Sequence, residues 1–175
     1  MTDSFFLELK SELQQGVQKK GHPFRYGTLA TVGLETLPRQ RTVVLRKVSK
    51  DLELTFYTDK RSKKLVHIKE NNKVSILFYH PTELLQVKVE GLANIIKDEN
   101  ILKKYWDGVQ PNLRKDYTTE DAPGSTISDP DKVEYLNDKN HFCIVEIEPF
   151  RIEYLKLKKP NHLRVQYSKT GSNWN

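Results

Sequence analysis

The chain opens with a helical pattern of apolar residues and then changes to the two-residue alternation typical of strands. Apolar residues recur every four positions from Phe5 to Val17, which predicts an amphipathic helix from residue 4 to about 19 within an N-terminal segment 1–21. After Pro23, short runs rich in β-branched residues are separated by turn residues. The predicted strands are 26–32, 39–48, 52–58, 73–79, 84–93, 142–148, 151–157 and 162–167.

The remaining pattern predicts two short helices and one long loop. The helices are expected at 62–71 and 98–106, where apolar residues fall on one side. From 107 to 131 the pattern dissolves into Gly, Pro, Asn, Asp and Thr, and loops of this length commonly cover a binding site or an interface. Short strands with peripheral helices predict a mainly β fold, an antiparallel barrel with helices packed on its outside. The length fits a single domain over 1–175.

Composition narrows the class of protein without naming a partner. The 37% of apolar residues exclude general disorder. One cysteine, Cys143, cannot form an internal disulfide and lies in the apolar run FCIV, so we expect a buried thiol and a reducing, cytoplasmic setting. The start of the chain lacks a signal-peptide pattern, and no stretch approaches the roughly 20 apolar residues of a membrane helix, so no membrane partner is expected. The net charge of +6 fits nucleic acid, an acidic surface or a phosphorylated small molecule.

Several common site motifs are absent from the sequence. It contains no GxGxxG, GxxxxGK[ST], HExxH or CxxC pattern, which disfavours a Rossmann site, a P-loop and the commoner zinc sites. Its five histidines have no ligand-like spacing. We therefore expect no metal centre.

A cluster of cations lies where a predicted strand leads into a predicted helix. The segment YTDKRSKK at 57–64 puts Arg61, Ser62, Lys63 and Lys64 at the helix start, where the helix dipole disfavours positive charge. A bound anion would resolve this conflict, because free N–H groups, a hydroxyl and cations would converge on one phosphate. An ordinary charged surface turn explains the same residues.

Five further polar residues could belong to a site. Arg41 and Arg46 bracket the strand RTVVLR and would face opposite sides of it unless a bulge intervenes. Gln86 lies on the polar face of an alternating strand, and its amide suits the edge of a heteroaromatic ring such as a flavin. His162 and Arg164 share a strand face, which solvent exposure explains equally well.

Taken together, these residues resemble the pyridoxamine 5′-phosphate oxidase-like family, the flavin mononucleotide (FMN) binding split β-barrel proteins. The similarity runs from about Phe24 to Trp174. It is strongest in RTVVLR at 41–46, FYTDKRSKK at 56–64 and LLQVKVEG at 84–91, which follow the order of the family's RxVLLK, FYTNxxSRK and RQVxVxG segments. Near the C-terminus, IEYLKLKKPNHLRVQY is similar to IEFWxGxxxRLHDRFxY. The segment NLRKDY resembles an uncharacterised flavin-binding branch more than the true oxidases.

The resemblance implies an FMN cofactor and a set of residues around it. Arg41 and Lys64 would hold the phosphate, the strand after Arg41 would run beside the flavin, and Gln86 would face the isoalloxazine. The full implied set is Arg41, Thr42, Val43, Val44, Arg46, Tyr57, Thr58, Arg61, Ser62, Lys63, Lys64, Gln86, Tyr154 and Arg164. Arg46 and His162 are the candidates for meeting a substrate anion or a transferred proton. The family also implies a homodimer with FMN at the subunit interface.

The sequence departs from the family at positions that serve the phosphorylated substrate. Pro160 and Val109 fall where arginines are expected, and the sequence ends at Asn175, before a last short strand, so this branch is shorter or the chain is truncated. The expected function is an FMN-dependent oxidoreductase acting on a small anionic or phosphorylated substrate. The alternative is a non-catalytic FMN or haem carrier or sensor on the same barrel. A nucleic-acid-binding barrel is disfavoured, because acidic residues are interspersed among the basic ones.

Overall fold

The computed structural model describes residues 2–171 and 173–175 and places four α-helices and eight strands in them. The helices are α1 (Thr2–Gln18), α2 (Lys63–Glu70), α3 (Glu99–Asp107) and α4 (Pro111–Arg114). The strands are β1 (Tyr26–Val32), β2 (Pro38–Val48), β3 (Leu54–Asp59), β4 (Lys73–His80), β5 (Leu85–Ile95), β6 (Phe142–Lys156), β7 (Leu163–Thr170) and β8 (Asn173–Trp174). The predicted N-terminal helix is confirmed; Met1, the first residue of segment 1–21, lies outside the described residues.

Six of the strands form a closed antiparallel barrel. They follow the order β3-β2-β1-β4-β5-β6, and β6 pairs back with β3 from Leu54↔Ile147 to Asp59↔Phe142. Closure pairs the backbone N–H and C=O groups that the edge strands of an open sheet would leave without hydrogen bonds. Strands β7 and β8 extend the sheet outward from β6. The predicted fold class, a mainly β antiparallel split barrel with peripheral helices, is confirmed.

Strand β6 is a single long strand, so the prediction of two strands separated by Pro149 is wrong. Its first half pairs with β3 and its second half with β7, while β5 runs along both halves. Pro149 lies opposite Gly91, where the β5–β6 register shifts. Proline has no N–H to donate, and such an irregularity in the ladder is a position that tolerates it.

The main core fills the barrel, and α1 closes one end of it. Leu9 and Leu13 of α1 are completely buried and belong to the same cluster as Phe24 and the inward-facing residues of the strands. Burying a leucine side chain contributes on the order of 2 kcal/mol, so the apolar stripe of α1 is a substantial part of the closure. Cys143 is also buried in this core, as predicted.

A second apolar cluster lies where α3 and the long connection meet β3 and β6. Val109, Tyr117, Phe142 and Ile144 are buried there, with Tyr57 packed against them. The connection predicted at 107–131 reaches residue 141 and contains α4 and two 3₁₀ turns.

None of the helices in residues 2–171 is long and apolar enough to cross a membrane.

Three polar side chains connect α1 to the end of β4. His22 Nε2 lies 3.3 Å from Glu12 Oε2, and the rings of His22 and His80 meet edge to face with centroids 5.4 Å apart. Nδ1 of His22 accepts the N–H of Phe24 at 3.2 Å, so the neutral ring carries its proton on Nε2, toward Glu12. Burial lowers the pKa of His22 from its usual 6.5, although the Glu12 carboxylate opposes this shift.

The close packing at Gly91 predicts that an added methyl group destabilises the fold. A Cβ at Gly91 would collide with the carbonyl oxygen of Glu148 and come within 2.7 Å of Ile147 Cγ2. We expect Gly91→Ala to lower the free energy of unfolding by about 2 kcal/mol, measured by urea denaturation. Gly108→Ala is the matched control, because its Cβ would lie 3.5 Å from the nearest atom. Equal effects of the two substitutions would contradict the prediction.

The lowered pKa of His22 predicts acid-sensitive stability. Because the unfolded chain takes up this proton first, the contribution to stability is complete above about pH 6.5 and is lost as the pH falls through the lower pKa of the folded state. Burial also lowers the pKa values of His67 and His141, so they contribute with the same sign. We expect the free energy of unfolding in urea to decline below about pH 6.5.

A pair of histidine substitutions separates this effect from general acid denaturation. His22→Gln keeps an acceptor for the Phe24 N–H and should make the decline shallower. His162→Gln changes an exposed side chain and should leave the profile as in the unmodified protein. If the pH profile of the free energy of unfolding is unchanged in His22→Gln, then the contacts of His22 with Glu12 and His80 do not control acid stability.

Candidate functional site

Four of the residues predicted to bind FMN lie close together where β3 leads into α2. The Lys64 ammonium at the start of α2 donates to Thr58 Oγ1 at 2.8 Å and to Ser62 Oγ at 2.6 Å. Arg41 of β2 lies close enough for its charge to act on Lys64. We call Arg41, Thr58, Ser62 and Lys64 the cation cluster. Thus β2, the end of β3 and the N-terminus of α2 each contribute to one location.

The two cations of this cluster are partly buried and lack a counterion. Within residues 2–171 and 173–175, neither Arg41 nor Lys64 forms an ion pair with a carboxylate. Burial, followed by the charge of Arg41, lowers the pKa of Lys64, and burial lowers the pKa of Arg41. Placing two like charges together away from water is unfavourable, and a bound anion would compensate both.

The start of α2 adds to the preference for an anion. Ser62 is the N-cap residue, but its side chain makes no capping hydrogen bond and accepts from Lys64 instead. The first N–H groups of the helix therefore have no side-chain cap, and they carry the positive end of the helix dipole. Lys63 is exposed and forms none of the hydrogen bonds of the cluster. The donor set fits a phosphate group, the part of FMN that it was predicted to hold.

Arg61 has a different role from the predicted one. Its Nε and Nη2 donate to the two carboxylate oxygens of Asp59 at 3.1 and 2.7 Å. Nη1 donates to the Glu120 carbonyl at 2.6 Å, and Nη2 also reaches the carbonyls of Thr119 and Asp121. Because its donors are occupied, the assignment of Arg61 to the phosphate is corrected: Arg61 attaches the long connection to the turn after β3.

The outer face of the barrel carries the residues predicted beside the flavin ring. Thr42 and Val44 face outward from β2, while Val43 between them points into the core. Strand pairing puts Gln86 opposite Leu155 and Leu155 opposite Arg164, so these three form one row across β5, β6 and β7. Antiparallel partners point to the same side of a sheet, so Gln86 and Arg164 share this face.

Tyr154 does not belong to this face. Its side chain is only 1% exposed, its ring packs 5.4 Å from that of Phe5, and its hydroxyl donates to Glu8 at 2.7 Å. Burial and this hydrogen bond hold its pKa far above the usual value. The predicted cofactor contact is therefore corrected to a core contact with α1. The neighbouring residue on the outer face is Leu155.

Arg46 lies in a separate pocket, on the side of β2 away from the core. The register between β2 and β3 shifts between Leu45 and Lys47, so the irregularity lies at Arg46, yet Arg41 and Arg46 still face opposite sides of the strand as their spacing predicts. The guanidinium lies 5.4 Å from the centre of the Tyr57 ring, and its Nε is buried without a hydrogen-bond partner. Tyr57, Val109, Leu113 and Arg25 line the adjoining cavity of about 260 Å³. Burial raises the pKa of Tyr57 to about 12, so it stays protonated.

The C-terminal candidates do not join these groups within one subunit. His162 is exposed, and its Nδ1 accepts the N–H of Lys158 at 3.3 Å. Arg164 is 64% exposed, and its Nε lies 3.9 Å from Glu153. In the described parts of the chain, neither contacts Arg41 or Arg46 through a hydrogen bond or ion pair. Both stay predictions that need a second subunit.

The sequence analysis missed two residues behind the cation cluster. Thr31 accepts a hydrogen bond from Arg41 Nη1 at 2.7 Å, and His67 Nδ1 lies 3.0 Å from the same hydroxyl. The strand pattern could have shown Thr31, because its neighbours on β2 include Arg39 and Arg41. The contact between Thr31 and His67 joins residues 36 positions apart and has no signal in the sequence.

One group of three possible metal ligands occurs in the described residues: Glu12, His22 and His80. Nδ1 of each histidine faces a backbone N–H, from Phe24 and Glu83 respectively, and so acts as an acceptor. The neutral rings then carry their hydrogens on Nε2 and offer no lone pair there. A histidine that binds a metal through Nε2 would instead carry its hydrogen on Nδ1 and donate it to an acceptor. The hydrogen bonds of the two histidines therefore do not fit a metal ion.

Comparison with known sequences identifies relatives of one kind. The family described as "Pyridoxamine 5'-phosphate oxidase, FMN-binding domain" matches residues 7–97. A pyridoxine/pyridoxamine 5′-phosphate oxidase of Vibrio vulnificus is 43% identical over 67 residues, which are 38% of this chain and 31% of that protein. The corresponding protein of Vibrio cholerae is 31% identical over 162 residues, 84% of this chain and 75% of that one. The chain thus spans about a third of the first relative's length and most of the second's.

Solved structures share the fold at lower identity. An FMN-binding protein from Nostoc punctiforme, described as pyridoxamine 5′-phosphate oxidase-related, has a TM-score of 0.78 at 24% identity, covering 96% of this chain and 92% of its own. A heme-binding protein from Mycobacterium smegmatis has a TM-score of 0.54 at 12% identity, covering 87% and 57%. The barrel alone therefore occurs with more than one cofactor. From its sequence match, its strand order and its cation cluster, the chain belongs to the pyridoxamine 5′-phosphate oxidase family with its FMN-binding domain.

Proposed function

We propose that this protein binds FMN and acts as an oxidoreductase on a small anionic substrate. The observation that carries the proposal is the cation cluster, in which the partly buried Arg41 and Lys64 have no carboxylate partner at the start of α2. A phosphate would complete this site, and the family to which the chain belongs is defined by an FMN-binding domain.

The residues that would hold FMN form two groups. Arg41, Lys64 and the N–H groups that begin α2 would bind the phosphate, and Ser62 and Thr58 would orient the Lys64 ammonium. The ring system would lie along the outer face, where Gln86 can donate and accept at its polar edge. Bound FMN would supply the electron and hydride transfer that amino-acid side chains cannot.

The Arg46 pocket is the proposed substrate site. Its buried Nε lacks an acceptor, which favours a carboxylate or phosphate as occupant. Tyr57 provides an aromatic wall, and Val109 provides an apolar one where the family has an arginine. Pro160, the second departure, lies on an exposed turn after β6. With fewer cations than the family's oxidases, this pocket fits a smaller or less charged anion than pyridoxamine phosphate.

We further propose that the active unit is a homodimer formed through the outer face. Tyr26 of β1 and Tyr79 of β4 are exposed large side chains on this face, at 55% and 44%. Burying them against a second copy would remove apolar surface from water and could bring His162 and Arg164 to the partner's cofactor. A cytoplasmic location and the absence of a nucleic-acid partner stay predictions.

A second candidate function is that of a non-catalytic carrier or sensor. It is favoured because no histidine or carboxylate lines the Arg46 pocket among the described residues, so the pocket contains no evident general base. A structural neighbour with the same barrel is described as a heme-binding protein, which supports a binding role as the alternative. Reduction of the bound flavin by a substrate separates the two functions.

The cation cluster predicts tight FMN binding that depends on two side chains. We expect purified protein to quench FMN fluorescence on titration, and Arg41→Ala or Lys64→Ala to weaken binding by roughly tenfold to a hundredfold, as expected for charge-assisted hydrogen bonds. Lys20→Ala, an exposed cation at the end of α1, is the control and should bind as the unmodified protein does. A protein that neither carries FMN nor takes it up would refute the proposed function.

The buried Nε of Arg46, which has no hydrogen-bond partner, predicts a role with substrate but not with FMN. In anaerobic mixtures of the FMN-loaded protein with anionic donors, including pyridoxamine phosphate and NADPH, we look for bleaching of the flavin. Arg46→Gln should slow bleaching about tenfold or more while FMN affinity is unchanged. Lys50→Gln, on the exposed turn after β2, is the control. If every donor leaves the FMN oxidised, the carrier or sensor function replaces the oxidoreductase.

A further inference from the structure

A chain of hydrogen bonds continues behind the cation cluster. Arg41 Nη1 donates to Thr31 Oγ1 at 2.7 Å and lies 3.4 Å from the Leu29 carbonyl. Thr31 Oγ1 lies 3.0 Å from Nδ1 of His67 on α2. The chain therefore links β2, β1 and α2, the last of which also provides Lys64.

Burial determines the direction of these hydrogen bonds. Thr31 is 2% exposed, so its hydroxyl hydrogen must find an acceptor inside the protein. Arg41 is always a donor and occupies one lone pair of the hydroxyl, and among the hydrogen bonds of the described residues Nδ1 of His67 is the partner that can accept the hydroxyl hydrogen. His67 then carries its own hydrogen on Nε2.

The charges around His67 preserve this arrangement. Burial and the positive charges of Arg41 and Arg39 on β2 and Lys63 on α2 lower the pKa of His67. The imidazole thus remains neutral at neutral pH and keeps an acceptor for Thr31. On β1, the residue that faces it is the uncharged Thr31.

The same contacts determine which donors of Arg41 stay available. A guanidinium has five N–H groups in one plane. The contacts of Nη1 with Thr31 and the Leu29 carbonyl fix the orientation of that plane. Nε and Nη2 of Arg41 have no acceptor among the hydrogen bonds of the described residues, and these two can donate side by side to two oxygens of one anion.

We propose that His67 and Thr31 are positioning residues that orient Arg41 toward the phosphate of FMN, so that they determine affinity for the phosphorylated flavin and not for its ring. This inference rests on the proposed FMN binding. Neither residue contacts the cofactor in this proposal; each acts through the guanidinium. The cations alone would only place positive charge near the phosphate. The hydrogen-bond chain also fixes the plane of the Arg41 guanidinium.

The test compares FMN with riboflavin, which lacks the phosphate. We expect His67→Leu and Thr31→Val each to weaken FMN binding roughly tenfold in fluorescence titrations and to leave riboflavin binding unchanged. His67→Gln and Thr31→Ser restore an acceptor and a hydroxyl, and should recover most of the affinity. Because both residues act through one chain, the double variant should lose no more than Thr31→Val alone.

Two further measurements guard against a purely structural effect. The phosphorus NMR resonance of bound FMN should move in His67→Leu and return in His67→Gln. Val66→Ala, an exposed position one residue earlier on α2, should change neither affinity nor resonance. Thermal melts of the FMN-free variants show whether each one folds.

The possible failures are distinguishable. If the unmodified protein does not bind FMN, the proposed function itself is wrong. If it binds FMN but His67→Leu and Thr31→Val bind it equally well with an unmoved phosphorus resonance, only the positioning role is overturned. Equal losses for FMN and riboflavin, without recovery in His67→Gln, would also overturn it, because they would indicate general damage to the fold.

Discussion

The antiparallel pairing of β3 with β6 is the constraint on which the rest of the site depends. It closes the barrel, and its last pair joins Asp59 to Phe142. The ladder continues into the turn, where Lys60 donates its N–H to the His141 carbonyl and His141 donates to the Tyr117 carbonyl. The start of α2 and the long connection are therefore fixed to the same point of the barrel. The direct pairing of β2 with β3 places Lys64 relative to Arg41, and the closure fixes the long connection beside them.

The electrostatics of the site depend on what occupies Asp59. This buried carboxylate is near enough to Lys64 to act on it, yet both of its oxygens accept from Arg61. Arg61 in this way keeps the one nearby acid from neutralising the cation cluster, and it uses its remaining donors on the long connection. A bound phosphate would then stabilise Arg41 and Lys64 without competing with a carboxylate. The ion pair between Arg61 and Asp59 thus leaves Arg41 and Lys64 available to bind an anion.

The strands and helices could be predicted because their sequence patterns are local. The positions of the site residues could not, because they depend on the register between strands and on which side chains pair with each cation. Gln86 shares a face with Leu155 only because two pairs of strands align, and a shift of one residue reverses the side chain. Tyr154, one position away, was therefore expected at the cofactor and lies in the core. Arg61 was expected at the phosphate because the sequence does not show that Asp59 is its nearer partner.

Arg41 and Arg46 lie on opposite sides of β2, which separates the proposed cofactor site from the proposed substrate site. Arg41 has the same orientation along the strand as the inward-facing Val43, whereas Arg46, five residues later, faces outward over Tyr57. Val109, where the resemblance leads us to expect an arginine, lines the Arg46 pocket and lies outside the cation cluster. Since the two sites share a strand but no side chain, the pocket can change its charge without loss of the phosphate contacts. Because the proposed cofactor and substrate sites lie on opposite sides of one strand, a substitution in the Arg46 pocket leaves the contacts of Arg41 and Lys64 intact.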